Sequence, residues 1–167
     1  MKGIVFLDRD GTLIRHVPYL HDPAKVQLLD GVAEGLSRLR EAGFRLVMIT
    51  NQQGIALGYF RAEDFFEVNR SLFRALSAHG VTIDGVYFCP HAAADKCRCR
   101  KPGTLLLEEA MKHFGAKATD CWMLGDAHSD VAAGEAAGCR TLLLGSGVAV
   151  SDQSFSQAVD TILKPLE

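Results

Sequence analysis

The sequence predicts an α/β fold: a mainly parallel, doubly wound sheet with helices on both faces. Three observations lead there. Short apolar runs such as Ile4–Leu7 and Leu46–Ile49 are unbroken rather than alternating, as expected of strands buried on both faces. The segments between them carry apolar residues at helical spacing. Polar residues of chemically capable types stand directly after the runs, where the carboxyl ends of parallel strands place ligand sites.

In order, Ile4–Leu7 is the first strand, followed by an irregular stretch over 13–29 broken by Pro18 and Pro23. Asp30 is placed to cap a helix starting near Gly31, with Val32, Leu36 and Leu39 on one face and Gly43 at its end. Leu46–Ile49 is the second strand and runs into Thr50-Asn51-Gln52. A glycine-punctuated loop (Gly54, Gly58) precedes a longer helix from Ala62 to His79, where Phe65, Phe66, Leu72, Phe73 and Leu76 form a core-facing stripe. Gly85–Phe88 is a third strand, followed by a cysteine-bearing loop over 89–102 and a helix over Thr104–Phe114. Cys121–Leu124 is a fourth strand ending in Gly125-Asp126. A small-residue helix over Asp130–Ala137 leads to a fifth strand, Thr141–Leu144, and Ala158–Leu163 fits either a last strand or a short helix. No internal repeat or linker divides the chain, so one domain over 1–167 is expected.

The net charge of −2 and pI near 6.3 give no basic footprint for nucleic acid. No apolar window is long enough to cross a bilayer, and the apolar run before Asp8 is too short for the core of a signal peptide, so a cytoplasmic location is expected. Five cysteines, an odd number, argue against a disulfide framework and toward a metal site with spare thiols.

Asp8 and Asp10, two positions apart at a strand end, repel each other. A hard divalent cation such as Mg²⁺ removes that penalty, because it binds one or two carboxylates together with phosphate oxygens. Beside such an ion Asp8 can attack phosphorus, and Asp10 can protonate the leaving oxygen. Asp126 completes the metal shell with Asp8 and the backbone carbonyl of Asp10. The Thr50 hydroxyl and the Lys101 ammonium suit the charge on a phosphoryl group in transfer, with backbone N–H groups of the Asp10–Gly11 and Asn51 turns as further donors. Asp130, one helical turn past Asp126, either orients that shell from behind or caps its own helix.

Cys89, His91, Cys97 and Cys99 lie within eleven positions, and three thiolates with one imidazole match a closed tetrahedral Zn²⁺ site. A closed site leaves no position for substrate, so zinc is expected to brace the loop and hold Arg100 and Lys101. Cys121 and Cys139 sit in apolar runs and are expected to be buried thiols.

Asp8-Arg9-Asp10-Gly11-Thr12 after a strand, Thr50-Asn51-Gln52, Arg100-Lys101-Pro102 and Gly125-Asp126 with Asp130 together resemble the four motifs of the haloacid-dehalogenase (HAD) superfamily of phosphatases, over residues 4–145. The resemblance implies a Rossmann-like sheet, a phosphoaspartyl intermediate on Asp8, acid and base work by Asp10, and Mg²⁺. The gaps that hold a lid domain in many members are short here, which implies a capless form. The cysteine loop, together with Gly54-Ile55-Ala56 and Gly58-Tyr59-Phe60, resembles the branch of D-glycero-D-manno-heptose 1,7-bisphosphate phosphatases and histidinol-phosphate phosphatases. By position, that branch implies substrate contacts from His16, Val17, Pro18 and Tyr19, from Thr50, Asn51, Gln52 and Gln53, and from Arg100 and Lys101. Leu57 and Ala127 depart from the branch, whose members usually carry cations there. His16 stands where an acidic residue is common, and Lys101-Pro102 lacks the usual second proline after it.

The expected partner is a small-molecule phosphate ester, acted on by a monomer, with heptose 1,7-bisphosphate first and histidinol phosphate second. Two other classes fit less well. A phosphoacceptor receiver domain lacks an aspartate two residues past its phosphorylated one, and Asp10 occupies that position here. A nucleic-acid 3′-phosphatase shares the aspartate and Thr-Asn-Gln motifs but calls for a basic surface.

Overall fold

The computed structural model describes residues 1–145 and 153–165. Five strands, β1 (Gly3–Leu7), β2 (Phe44–Asn51), β3 (Gly85–Cys89), β4 (Trp122–Gly125) and β5 (Arg140–Leu143), form one sheet in the order β3-β2-β1-β4-β5. Every pairing is parallel, with Leu7 opposite Met48 on one side and Leu124 on the other. The helices are α1 (Val32–Glu41), α2 (Ala62–Ser77), α3 (Leu105–Phe114), α4 (His128–Ala136) and α5 (Phe155–Leu163).

The unbroken apolar runs are explained by two cores. Val5, Leu7, Leu46 and Met48 point to one face and pack with Val32 and Leu36 of α1, Val68 and Leu72 of α2, and Phe155 and Val159 of α5. Ile4, Phe6, Val47 and Ile49 point to the other, against Leu106, Leu107 and Ala110 of α3 and Ala133 of α4. With both faces covered, alternation between polar and apolar residues has no place in these strands.

The small residues of α4 let it sit close on the sheet. A Cβ at Gly134 would lie 2.6 Å from both Met123 Cβ and Thr141 Cγ2. Gly134→Ala should therefore destabilise the fold: overpacking costs about 1–3 kcal/mol against at most about 1 kcal/mol regained in helix propensity. A denaturant titration giving an unchanged or raised midpoint would contradict this packing.

Three local expectations need correction. Phe66, read into the core-facing stripe of α2, is 50% exposed; Phe65, Val68, Leu72 and Leu76 form the buried face. Asp30 does not cap α1; Gly31 is the N-cap, in the left-handed region at φ 76°, with no side chain supplying the cap. That left-handed backbone is what selects glycine; a Cβ there would also meet Ser156 Oγ, in the first turn of α5, at 2.4 Å. The stretch over 13–29 is less irregular than its prolines suggest. Ile14 bridges Leu28, and Pro23–Lys25 forms a single 3₁₀ turn capped by Asp22, whose Oδ1 accepts from the Ala24 N–H at 2.9 Å. The tail, open between strand and helix, is helical: Ser154 and Gln157 form a reciprocal cap at 3.2 and 2.8 Å, and Phe155, Ala158, Val159 and Ile162 make a buried stripe. No described helix is long and apolar enough to cross a membrane.

Candidate active site

In the order β3-β2-β1-β4-β5, connections leave β1 toward one edge of the sheet and β4 toward the other, so a crevice opens beyond the carboxyl ends of β1 and β4. Asp8 follows β1 and Asp126 follows β4, and the backbone N–H of Asp8 donates to Leu124 O at 3.0 Å. The turn after Asp10 needs glycine for its left-handed backbone, and it brings Asp126 close. Gly11 has φ 79°, and a Cβ on it would fall 2.1 Å from Asp126 Oδ2.

Lys101 reaches into this crevice from the loop after β3. Its ammonium donates to Asp8 Oδ1 at 2.8 Å and to Ile49 O at 2.9 Å, and also pairs with Asp130 Oδ1. Lys101, Asp8 and Asp130 are all buried. Burial alone would discharge the lysine, but the two carboxylates outweigh it and its pKa is raised. Asp8 is pushed up by burial and by the charge of Asp130, with Lys101 opposing. The Asp126 carboxyl, open to the cavity yet largely surrounded by protein, is pushed up to about 7 by that desolvation and by the neighbouring charge of Asp8. Of the two expectations for Asp130, capping has its geometry: one oxygen accepts from the Ala127 N–H at 3.0 Å at the start of α4, while the other pairs with Lys101.

A cavity of about 290 Å³ opens over these groups, lined by Asp8, Asp10, His16, Val17, Tyr19, Asn51, Gln52, Gln53, Lys101, Asp126 and Asp130 among the expected residues. Three expected residues do not line it. Thr50 is buried beneath it, its hydroxyl accepting from Gln52 Nε2 at 2.9 Å. Pro18 turns the outer loop without entering the wall. Arg100 is likewise absent from the wall, and its Nη1 is buried with no hydrogen-bond partner among the described residues. Arg100 immediately precedes Lys101, whose ammonium enters the cavity. Asn51 and Gln52 do line the cavity, but their amides are committed to protein. Asn51 clamps the Lys101 backbone, accepting from Lys101 N at 2.9 Å and donating to Lys101 O at 3.2 Å. Gln52 Nε2 donates to Asp10 Oδ2 at 3.0 Å.

Leu20, Gly54, Phe60, Ala127 and Ser129 complete the wall; none was expected to touch substrate, although Gly54, Phe60 and Ala127 had figured in the comparison with the branch. Leu20 and Ser129 carry no chemical signal in the sequence that would set them apart from residues that touch no ligand. Above the cavity Tyr19 and Tyr59 meet edge-on, with ring centroids 4.5 Å apart, and join the two loops that form its mouth.

Two groups of side chains could hold metal ions. Ligand atoms of Asp8, Asp126 and Asp130 lie within 4.8 Å of one another, and three carboxylates with one ammonium leave a charge deficit that a divalent cation would fill. In the loop after β3, Cys89 Sγ is 3.5 Å from His91 Nδ1 and from Cys97 Sγ and 3.1 Å from Cys99 Sγ. Cys99 Sγ is 3.2 Å from His91 Nδ1 and 3.6 Å from Cys97 Sγ. Four ligands about 2.0–2.3 Å from one zinc ion would stand roughly 3.4–3.8 Å apart, so this donor set fits with small adjustment. Burial raises the Cys97 thiol, but the backbone N–H of Arg100 and the neighbouring thiols outweigh it and bring Cys97 down to about 7. Burial and the Cys99 thiol push Cys89 up. The remaining cysteines, Cys121 and Cys139, are buried as expected.

Residues 98–166 match a hydrolase family model described as "HAD-hyrolase-like". The chain is 37% identical to the D-glycero-beta-D-manno-heptose-1,7-bisphosphate 7-phosphatase of Pasteurella multocida, over 95% of this chain and 90% of that protein. It is 35% identical to the protein of the same name from Haemophilus influenzae, over the whole of both chains. The chain belongs to the HAD phosphatases. Its fold superposes with TM-score 0.87 on the D,D-heptose 1,7-bisphosphate phosphatase of B. bronchiseptica, solved with magnesium and phosphate, at 25% identity over 96% of this chain and 98% of that one. A putative HAD-like phosphatase from Mesorhizobium loti matches at TM-score 0.80 and 32% identity, over 85% of this chain and 72% of that one. The HAD chain is thus a phosphoric monoester hydrolase acting on a small-molecule phosphate ester, in a family whose solved relative binds magnesium.

Proposed function

We propose that this HAD phosphatase hydrolyses a phosphorylated sugar in two steps at Asp8, with heptose 1,7-bisphosphate as substrate and its 7-phosphate as the reacting group. The observation that carries the reading is the buried cluster of Asp8, Lys101 and Asp130 at the mouth of β1, in a chain whose relatives of that name align along nearly its whole length. An Asp8 oxygen attacks phosphorus, the bond from phosphorus to the sugar oxygen breaks, and the departing oxygen takes a proton from the Asp10 carboxyl. Asp10, now a carboxylate, removes a proton from water as that water attacks the phosphoaspartate. Phosphate leaves and both carboxyl groups return to their starting states. Lys101 keeps positive charge beside Asp8 while the anionic ester approaches, and the Asn51 clamp fixes its backbone. Asp8, the Asp10 carbonyl and Asp126 would hold magnesium, which when bound neutralises phosphoryl charge. Cys89, His91, Cys97 and Cys99 would hold a structural zinc two residues from Lys101. We further propose a monomer of one domain working in the cytoplasm.

Among the residues lining the cavity, Lys101 is the one lysine or arginine, and it is already bound to two carboxylates. Leu57 and Ala127 supply no replacement. A charge-assisted contact to a second phosphate is worth about 1.5–3 kcal/mol, roughly ten- to a hundred-fold in kcat/KM. Lacking it, the enzyme should favour heptose 1,7-bisphosphate over the corresponding 7-monophosphate by less than about tenfold. Steady-state kinetics on both sugars and on histidinol phosphate test the substrate. A clear preference for histidinol phosphate would replace the sugar assignment, and a hundredfold preference for the bisphosphate would show that a cation outside this wall reads the far end.

A further inference from the structure

We propose that Arg9 and Asn69 are positioning residues for Asp10, holding its carboxyl where it can meet the leaving oxygen; this rests on Asp10 serving as the acid. Arg9 is 1% exposed, although it lies between the two aspartates of the site. Its Nε donates to Asp10 Oδ1 at 3.3 Å and Oδ2 at 3.2 Å, and Nη2 reaches Oδ1 at 3.2 Å and Oδ2 at 3.1 Å. Nη1 turns the other way and donates to Asn69 Oδ1 at 3.0 Å. The guanidinium also lies over Phe65, 5.2 Å from the ring centroid. Asn69 is itself 4% exposed, a polar residue in the buried stripe of α2 between Phe65 and Leu72.

A buried amide on an apolar helix face needs a partner, and here the partner is the back of the arginine fork. Gln52 secures the same carboxyl from the opposite loop, at 3.0 Å from Oδ2. Asp10 is thereby gripped on both oxygens, and the orientation of Arg9 is set by a helix sixty positions away in sequence. Held geometry is what general acid transfer requires, because a shift of about 1 Å in a catalytic group can cost on the order of a hundredfold in rate. A planar fork with five donors suits the task better than an ammonium.

The test separates positioning from general damage by leaving group. The 7-phosphate of heptose 1,7-bisphosphate needs a proton on its departing oxygen, whereas p-nitrophenyl phosphate releases a stable anion. Since kcat/KM reports only steps through release of that group, Asn69→Leu should lower it about tenfold on the sugar and by less than about twofold on p-nitrophenyl phosphate. Arg9→Met should lower the sugar value further, with Arg9→Lys between them. In an Asp10→Asn background, Asn69→Leu should add nothing, since its effect runs through the missing carboxyl. Leucine fits the stripe on α2, so Asn69→Leu carries the test should Arg9→Met fail to fold. Equal losses on the two esters, no loss on either, or full additivity with Asp10→Asn would overturn the proposal. Asp8→Asn run alongside should abolish both activities; if it does not, the site assignment fails first.

Discussion

Asp8→Asn should leave a folded protein that binds phosphate esters but turns them over at least about a thousandfold more slowly, the scale of loss when a nucleophile is removed. The substitution keeps the shape of the side chain. Lys101 loses one carboxylate but keeps Asp130 and Ile49 O, so the ammonium stays held. The binding site should even become less crowded in charge, because Asp8 is one of the groups that raise the pKa of Asp126. Hydroxylamine provides a second readout. It converts an aspartyl phosphate to a stable hydroxamate, so substrate plus hydroxylamine should mark residue 8 in the native enzyme and leave the variant unmarked. A variant with near-native turnover, or a mark elsewhere, would remove Asp8 from the mechanism.

The second large effect is expected in the loop after β3. Purified protein should carry close to one zinc ion per chain, and Cys99→Ala should lose it. Structural zinc contributes about 10–16 kcal/mol of apparent binding energy in small peptides that fold around it. Here the five-stranded sheet also has two apolar cores of its own, so the thermal midpoint should fall by several degrees rather than the whole fold being lost. Cys89 ends β3 and Cys99 is buried in the core under α3, so the loss should be felt in the sheet as well as in the loop. Lys101 follows Cys99 by two residues and should lose its fixed reach to Asp8, giving a raised KM and lower kcat. Metal analysis by mass spectrometry and a melt with and without chelator decide it. Zinc-free protein with an unchanged melt would leave the four side chains as an ordinary packed cluster.

The chain shows how far one-dimensional information extends. The five strands and their helices were legible because burial on both sheet faces writes itself as unbroken apolar runs, and helices as stripes at 3.6 spacing. The metal-competent carboxylates and the cysteine cluster were legible because unusual residue types stand close together or directly after a strand. Even α5 was half visible, since Phe155, Ala158, Val159 and Ile162 are spaced for a helix. What stayed hidden depends on pairs far apart in the chain. Asp30 was read as a cap because the residue type suits one, while the chain instead enters α1 through a left-handed N-cap at Gly31, beside Ser156 of α5, that the residue type of Asp30 does not reveal. Arg100 and Lys101 were both expected at the cavity; Lys101 lines it, its backbone clamped by Asn51 from the end of β2 fifty positions earlier, while Arg100 is not among the lining residues. Asn69 gave a faint sign as a polar residue in an apolar stripe, but its partner Arg9 lies sixty positions earlier. Local sequence determined which segments become strands and helices and which chemistry they carry. Tertiary structure decided which donors meet which acceptors, because a hydrogen bond depends on tenths of an ångström between groups that only the folded sheet brings together.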